Sequence, residues 1–212
     1  MTVVITGASR GIGAGLAAAY AERGEEVIGT TRGGEWSLDV TQPDSVRAFA
    51  DRLEGRALDL LVCNAGVYLD KGHQLDTGYG AQLWADTFAA NVTGVFLTIQ
   101  ALMPGLRASQ AGRIAIISSQ MASSERAPGG SYIYRSSKAA VLNLGRNLAA
   151  DLKPEGIAVG TYHPGWVITD MGGRTADITI DEAVRGLVDR FDALDLSRTG
   201  CFETWDGRQH PY

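Results

Sequence analysis

The chain has 212 residues, 45% of them hydrophobic and 20% charged, a composition that excludes a disordered or fibrous protein. A formal net charge of -5 argues against nucleic acid as the main partner, because nucleic-acid binding usually needs a basic face. No uninterrupted apolar run approaches the roughly 18 residues of a membrane span, and the first residues lack the basic flank of a secretory signal. Two cysteines are too few for a disulfide framework. We therefore expect a protein of the reduced cytoplasm with no membrane or nucleic-acid partner.

Short β-branched runs alternate with helical patterns along the chain, as in repeated βαβ units. In chain order the predicted elements are strand 3–6, helix 12–23, strand 26–31, helix 45–53, strand 58–63, helix 81–108, strand 113–118, helix 136–152, strand 158–162, helix 181–194 and strand 201–204. "TIDE" at residues 179–182 is a capping box for the last helix, and Gly24 stands where a helix-ending glycine belongs. Without repeats or linker-like composition, residues 1–212 are predicted to form one α/β domain.

"TGASRGIG" at residues 6–13 follows the first strand and opens the first helix. At such a turn the exposed backbone N–H groups can bind a phosphate. Gly7 permits the tight turn, while Gly11 and Gly13 lack side chains that would keep a pyrophosphate and the neighbouring strand away. An ordinary strand-to-helix turn is the alternative, because the spacing differs from Gly-x-Gly-x-x-Gly. No Lys–Ser/Thr pair closes the loop, which argues against a nucleoside-triphosphate P-loop.

The end of the second strand favours NADP(H) over NAD(H). An acidic residue about 20 positions after the glycines would bind a free ribose 2′-hydroxyl, whereas an arginine would bind a 2′-phosphate. Here "EVIGTTRGG" contains Arg32 and no carboxylate after its first residue, and Arg10 in the glycine turn adds a second cation. Each charge-assisted hydrogen bond is worth roughly 1.5–3 kcal/mol. The alternative is that both arginines are solvated surface charges.

"YRSSK" places Tyr134 and Lys138 four positions apart at the start of a predicted helix, hence on one face. A phenol has a pKa near ~10, and we expect the neighbouring ammonium to lower the pKa of Tyr134 towards the range useful to a general acid. Such a pair is by itself common on surfaces. However, "IAIISS" ends a strand in Ser118 and Ser119, and "LVCNAG" and "YHPGWVITD" lie at the ends of two others. Ligands bind at the carboxyl ends of parallel strands, so these segments are expected to form one site.

Taken in order, these motifs resemble those of the short-chain dehydrogenases/reductases. The resemblance covers most of the chain and is carried by "TGASRGIG", "LDV" (38–40), "NAG" (64–66), Asn91, "SS" (118–119), "YRSSK" and "PGWVIT" (164–169). "HPGWVITDMGG", "YRSSKAAVLN" and "DGRQHPY" are most similar to the C-factor and sniffer-type carbonyl reductase branch. The resemblance implies a Rossmann-like, doubly wound parallel sheet. It also implies a homodimer or homotetramer that pairs through helices 81–108 and 136–152.

The resemblance further implies a role for each matched position. Tyr134 would donate a proton to the substrate carbonyl, Lys138 would hold the nicotinamide ribose and assist that phenol, and Ser119 would hydrogen-bond the carbonyl. Asn91 would hold a water that links Lys138 to solvent. No metal site is expected. The expected cofactor-binding residues are Gly7, Ser9, Arg10, Gly11, Ile12, Gly13, Arg32, Asp39, Val40, Asn64, Ala65, Gly66, Tyr134, Lys138, Pro164, Gly165, Val167 and Thr169.

The chain departs from the family pattern before its catalytic tyrosine. Ser119 and Tyr134 are slightly further apart than the commonest family spacing, which would place Met121 in the serine's position. A methionine cannot donate a hydrogen bond to a carbonyl. Ser119 is therefore the candidate, and Ser118 is the alternative.

A larger departure follows the second strand. Only "GGEWS" (33–37) separates Arg32 from "LDV", and a parallel crossover needs about a dozen residues or more. The helix that relatives carry between strands 2 and 3 is therefore predicted to be missing and that sheet edge to be trimmed. We expect Trp36 to pack over this edge or over the adenine side of the cofactor.

The motifs and the family resemblance together predict an NADP(H)-dependent carbonyl reductase or alcohol dehydrogenase. Its substrate would be a small or medium ketone or aldehyde, or the corresponding alcohol. The intact Asn91, Ser119, Tyr134 and Lys138 favour an enzyme over a cofactor-binding signalling or scaffold protein with incidental turnover. An NAD-dependent dehydrogenase is a further alternative. The short segment 169–179 stands where relatives carry a substrate lid, and its brevity predicts an open site.

Overall fold

The computed structural model describes residues 1–212. Its strands are β1 (Thr2–Ile5), β2 (Glu26–Gly29), β3 (Leu60–Cys63), β4 (Arg113–Ile117), β5 (Ala158–His163) and β6 (Phe202–Thr204). The α-helices are α1 (Gly11–Glu22), α2 (Pro43–Arg52), α3 (Ala81–Phe88), α4 (Gly94–Ala108), α5 (Tyr132–Leu152) and α6 (Ile180–Asp192). A π-helical turn at Ala89–Thr93 joins α3 to α4, and 3₁₀ turns lie at Gln120–Ala122 and Lys153–Glu155.

The strands form one six-stranded parallel sheet in the order β2-β1-β3-β4-β5-β6. The chain moves outward from β1 to β2 and then returns past β1 to β3, so the strand order reverses between β1 and β3. Ligands bind at the carboxyl ends of the strands where such a reversal occurs. This topology confirms the predicted doubly wound, Rossmann-like sheet.

The sheet is buried on both faces, which explains why its strands read as continuous apolar runs. Successive side chains of β1 alternate between the two faces. Val4 packs into a core with Phe49 of α2 and residues of α4 and α5. Val3 and Ile5 pack into a second core with Leu16 of α1 and residues of α6. Both cores stabilise the sheet that presents the strand ends.

The sheet ends at β2, and no helix or regular strand lies between β2 and α2. Beyond β2 the only pairing is an isolated parallel bridge between Thr31 and Ser37. Trp36 packs edge-on against Phe49, with ring centroids 6.2 Å apart, and the Arg52 guanidinium lies 4.8 Å from its ring centroid. The trimmed edge is therefore confirmed, with Trp36 packed against the core below it.

The predicted helix 81–108 is continuous but contains the π-helical turn. By length and composition alone, Ala81–Ala108 could cross a membrane, but 56% of its most apolar window is buried inside the protein. Burial of this kind is expected of a core helix. The predicted capping box of α6 is confirmed. The Thr179 hydroxyl accepts a hydrogen bond from Glu182 N (3.2 Å), and the Glu182 carboxylate accepts one from Thr179 N (2.8 Å).

Candidate active site

The turn between β1 and α1 needs glycine at three positions, two for their backbone conformation and one for lack of space. Gly7 and Gly11 have φ values of 69° and 59°, in the left-handed region that favours glycine. A Cβ on Gly13 would lie 2.3 Å from the carbonyl oxygen of Gly7. No side chain caps α1, whose N-cap residue is Arg10. The first N–H groups of α1 therefore face the carboxyl edge of the sheet without a capping side chain.

The "NAG" segment is bonded directly to this turn. Asn64 Nδ2 donates to the carbonyl oxygens of Thr6 (2.9 Å) and Gly7 (3.1 Å). The Thr6 hydroxyl oxygen accepts from the backbone N–H groups of Asn64 and Ala65, each at 3.0 Å. A Cβ on Gly66 would lie 3.0 Å from Asn91 Oδ1 and 3.5 Å from Lys138 Nζ. The "NAG" segment therefore contacts the glycine turn at Asn64 and lies close to Asn91 and Lys138 at Gly66.

At the end of β2, Arg32 is exposed and forms no ion pair. Arg10, in contrast, forms an ion pair with Asp170, and both side chains are about three-quarters exposed (74% and 75%). The Asp39 carboxylate accepts hydrogen bonds from the backbone N–H and hydroxyl of Thr41, at 2.9 and 2.7 Å. Arg32 is thus the candidate phosphate ligand that is not paired with a carboxylate.

Val40 is held close to the π-helical turn by a glycine. A Cβ on Gly94, the first residue of α4, would lie 2.6 Å from the Val40 carbonyl oxygen.

The side chain of Asn91, within the π-helical turn, forms three hydrogen bonds. It donates to the Val67 carbonyl (2.9 Å) and to the Ser137 hydroxyl (3.0 Å), and accepts from Val67 N (2.8 Å). The side chain of Asn91 therefore links α5 to Val67, the residue that follows the "NAG" segment. π-helical turns are frequent at functional sites. Its implied role in holding a water stays a prediction.

The candidate catalytic residues Tyr134 and Lys138 lie on α5 and are buried, with exposed fractions of 7% and 5%. Helix α5 begins at Tyr132, so the predicted start at residue 136 is wrong. Ser118 Oγ donates to the Lys138 carbonyl oxygen (3.0 Å) and fixes α5 on the end of β4. Ser119 Oγ accepts from Met121 N (3.1 Å), which leaves its O–H uncommitted, whereas the O–H of Ser118 is already used. The geometry favours Ser119 over Ser118.

Burial dominates the electrostatics of this pair. Burial raises the pKa of Tyr134 above its ordinary value, and the nearby Ser119 hydroxyl opposes that rise. Burial also lowers the pKa of Lys138 to about 8. The expectation that Lys138 lowers the pKa of Tyr134 is wrong. Lys138 Nζ lies 5.7 Å from the centroid of the Tyr134 ring and donates to the Ile117 carbonyl oxygen at 2.9 Å, so desolvation outweighs its charge.

Two residues that support Tyr134 come from the loop after β3. The Tyr68 ring stacks on the Tyr134 ring, and the Tyr68 hydroxyl bonds to the Ser131 hydroxyl. Asp70 is fully buried and accepts from the backbone N–H groups of Ile133 (2.9 Å) and Tyr134 (3.3 Å). The sequence analysis identified neither residue as a support of Tyr134. No local pattern identifies Asp70, because it caps a helix 63 residues away.

A cavity of about 710 Å³ opens beside Tyr134. The predicted site residues that line it are Ile12, Ser119, Tyr134, Pro164, Gly165, Val167 and Thr169. Ser118, the alternative to Ser119, also lines the cavity. The other predicted residues do not line the cavity. They lie at the glycine turn, between β2 and α2, in the "NAG" segment, in the π-helical turn and on α5. They are Gly7, Ser9, Arg10, Gly11, Gly13, Arg32, Asp39, Val40, Asn64, Ala65, Gly66, Asn91 and Lys138.

His163, at the end of β5, also lines this cavity. It is 8% exposed, and its Nδ1 atom is buried without a hydrogen-bond partner. Burial lowers the pKa of His163 to about 3, and the neighbouring His210 and Arg126 side chains contribute. The imidazole is therefore neutral at physiological pH.

Comparison with known proteins decides the family. A family model described as short chain dehydrogenase matches residues 31–178. The C-signal protein of Myxococcus xanthus is 37% identical over 171 residues, which cover 79% of this chain and 100% of that protein. The chain belongs to the short-chain dehydrogenase/reductase family. It is accordingly a member of an oxidoreductase family, as the sequence motifs predict.

Two solved structures of short-chain dehydrogenases/reductases extend the comparison to the whole fold. The NADPH-bound carbonyl reductase from chicken fatty liver has a TM-score of 0.91 and 29% identity, covering 100% of this chain and 98% of that chain. The carbonyl reductase Sniffer of D. melanogaster has a TM-score of 0.90 and 26% identity, covering 100% and 99%. With C-signal, these relatives confirm the predicted similarity to the C-factor and sniffer-type branch.

Proposed function

We propose that the protein is an NADP(H)-dependent carbonyl reductase or alcohol dehydrogenase that interconverts small or medium ketones or aldehydes and their alcohols. The observation that carries this proposal is the buried group of Ser119, Tyr134 and Lys138 beside a cavity of about 710 Å³. Cavities of this size commonly bind small molecules. The similarity to the NADPH-bound chicken carbonyl reductase supports both the reaction class and the cofactor.

The residues at the carboxyl edge of the sheet fit a dinucleotide. The glycine turn has no room for a side chain at Gly13, and the N–H groups of α1 are uncapped, so they can donate to a pyrophosphate. We assign the remaining predicted cofactor residues to the nucleotide as the family resemblance implies, with Arg32 at the 2′-phosphate and Lys138 at the nicotinamide ribose. When bound, the nicotinamide supplies the hydride.

The protein side chains supply position and the proton. The Tyr134 phenol, whose pKa is raised by burial, is protonated at neutral pH and can donate its proton to the carbonyl oxygen during reduction. Ser119 Oγ already accepts from Met121 N, which leaves its O–H free to donate to the same oxygen. With a pKa of about 8, Lys138 is mostly protonated at pH 7 and can donate to ribose hydroxyls.

We further propose that the protein is cytoplasmic and acts on a small molecule rather than on nucleic acid or a membrane. Its acidic net charge and its two free cysteines support this proposal. We also propose a homodimer or homotetramer that pairs through the long helices α4 and α5. This part rests on the family resemblance, and sedimentation of the purified protein would test it.

The first experiment is a fluorescence titration of the purified protein with NADPH and NADH in parallel. A panel of ketones and aldehydes is then added to the same cuvette. We expect tighter binding of NADPH than of NADH, and carbonyl-dependent oxidation that Tyr134→Phe abolishes in a protein that still binds NADPH. Failure to bind either nucleotide would overturn the proposal. Tight binding without turnover would instead favour the signalling alternative, which the similarity to C-signal keeps open.

A further inference from the structure

The cavity beside Tyr134 is lined by positive side chains and by no carboxylate. Lys71, Arg126 and Arg135 come from the loop after β3, the loop before α5 and the first turn of α5. None of the cavity's 20 lining residues is aspartate or glutamate. This excess of positive charge is local, because the whole chain has 24 acidic and 19 basic residues.

The three cations are held in place by neutral oxygen atoms. Lys71 Nζ donates to the Met171 carbonyl oxygen (2.9 Å), and Arg126 Nη1 donates to Gln120 Oε1 (2.7 Å). Arg135 donates to the carbonyl oxygens of Gly130 (3.1 Å) and Arg126 (3.2 Å). None of the three forms an ion pair. These bonds orient the side chains without neutralising their charges, and each guanidinium keeps free donors.

His163 lines the same cavity. Burial is the main cause that lowers the pKa of His163, and the charge of Arg126 acts in the same direction. At the mouth, by contrast, Trp166 and Met171 are 44% and 41% exposed. Trp166 is fixed by a hydrogen bond from its Nε1 to the Gly172 carbonyl oxygen (2.9 Å). The cavity thus combines an apolar wall with a cationic one.

We propose that this cavity selects carbonyl substrates that carry a carboxylate, with Arg126 and Arg135 binding the carboxylate while the carbonyl oxygen lies between Ser119 and Tyr134. Lys71 adds positive charge from the opposite loop, and Trp166 packs against the apolar body of the substrate. Guanidinium groups suit this task because their planar donors match the two oxygens of a carboxylate. This inference rests on the proposed function and names its substrate class.

The test uses matched pairs that differ only in the charge of the acid group. One pair is 4-formylbenzoate and its methyl ester, and the other is 4-oxopentanoate and its ethyl ester, each assayed with NADPH. We expect the purified protein to have a kcat/KM about tenfold or more greater for the acid of each pair. Arg126→Gln and Arg135→Gln should each reduce this acid-to-ester ratio about tenfold, because the ester has no charge for the guanidinium to bind.

Two variants serve as controls. Arg198→Gln removes an exposed arginine outside the cavity and should leave the ratio unchanged. Arg135→Lys keeps the positive charge and should restore part of the preference, whereas a loss caused by disturbing the start of α5 would persist. NADPH titration of each variant verifies that the protein is folded.

The outcomes separate the two proposals. Equal kcat/KM values for acids and esters would overturn the carboxylate preference and leave the carbonyl reductase assignment intact. If no carbonyl is reduced, the proposed function fails, and 4-methylbenzoate then tests the binding site alone. Quenching of tryptophan fluorescence by 4-methylbenzoate that Arg126→Gln weakens would support the site, and absence of saturable quenching would overturn it.

Discussion

Tyr68 stacks on Tyr134, with ring centroids 4.2 Å apart and ring planes inclined by 20°. The loop that carries Tyr68 also carries Asp70, whose carboxylate holds the backbone of Tyr134 at the start of α5. One loop therefore fixes both the ring and the backbone of the proposed proton donor. Neither residue needs to touch a substrate to affect the reaction.

Removing the stacked ring should reduce turnover. Tyr68→Ala loses an aromatic pair worth about 0.5–1.5 kcal/mol, so we expect kcat to fall by roughly two- to tenfold with little change in KM. Tyr68→Phe keeps the stack and loses only the hydrogen bond to Ser131, so its kcat should stay close to that of the parent. Steady-state kinetics with one aldehyde measures both, and equal kcat values for the two variants would contradict a role for stacking.

Asp70 should contribute to stability. Asp70→Ala leaves the buried N–H groups of Ile133 and Tyr134 without their acceptor, at a cost of about 1–3 kcal/mol per group. Asp70→Asn keeps one acceptor oxygen and should be less damaging. Urea unfolding monitors the free energy of unfolding, and Asp76→Ala at an exposed position is the control, expected within about 0.5 kcal/mol of the parent. Equal midpoints for Asp70→Ala and Asp76→Ala would refute this role.

The two adjacent serines should separate by phenotype. Ser119→Ala removes the proposed donor to the substrate oxygen, and removing such a donor lowers kcat by about a hundredfold or more. Ser118→Ala removes the bond to the Lys138 carbonyl oxygen, so it should lower stability more than kcat. Kinetics and thermal unfolding of both variants make the comparison. A larger loss of kcat in Ser118→Ala would reverse the assignment.

Arg32 should set the choice of nucleotide. Arg32→Asp removes a charge-assisted contact worth roughly 1.5–3 kcal/mol, so the Kd for NADPH should rise by about tenfold to a hundredfold while the Kd for NADH does not rise. Arg10→Ala should have a smaller effect, because Arg10 is paired with Asp170. Parallel fluorescence titrations test this. A similar loss of NADPH and NADH affinity in Arg32→Asp would show that Arg32 does not read the 2′-phosphate.

His163 should make the fold sensitive to acid. Its folded-state pKa of about 3 lies below the ordinary value of 6.5, so between these values the unfolded chain binds a proton that the folded chain does not. Its contribution to stability is complete above about pH 6.5 and is lost as the pH falls towards 3. From pH 7 to pH 5 the parent and His73→Gln, altered at an exposed histidine, should lose more unfolding free energy than His163→Gln. An equal loss in all three proteins would exclude His163 as the cause.

The strands and the trimmed edge were predictable because they depend on local chain properties. Parallel strands buried on both faces appear as short apolar runs, and the predicted strands overlap all six that form. The missing helix followed from chain length alone, since "GGEWS" cannot make a crossover. The capping box of α6 lies within four consecutive residues and was equally readable.

The start of α5 and the electrostatics of Tyr134 depend on distant residues and were predicted wrongly. Helix α5 has no side-chain cap of its own and begins after Ser131, a non-glycine residue with a φ of 48°. Its first N–H groups are bound by Asp70, which no helical pattern identifies. Spacing placed Lys138 near Tyr134 but gave no measure of burial, and burial controls both pKa values. The single domain, the residue roles, the cofactor preference, the oligomer and the cytoplasmic location stay predictions.

The short connection after β2 gives the molecule a natural insertion site. Residues 32–35 are exposed, and a Cβ added at Gly33 would meet no atom within 4 Å. Exposed loop tips of this kind tolerate added chain, and doubling the length of a flexible loop costs only about 0.6 kcal/mol of closure entropy. A reporter peptide or a small domain grafted here would stand beside Arg32 yet far along the chain from Tyr134. Such a chimera should keep its fold, and any effect of the graft should fall on nucleotide binding at Arg32 rather than on the chemistry at Tyr134.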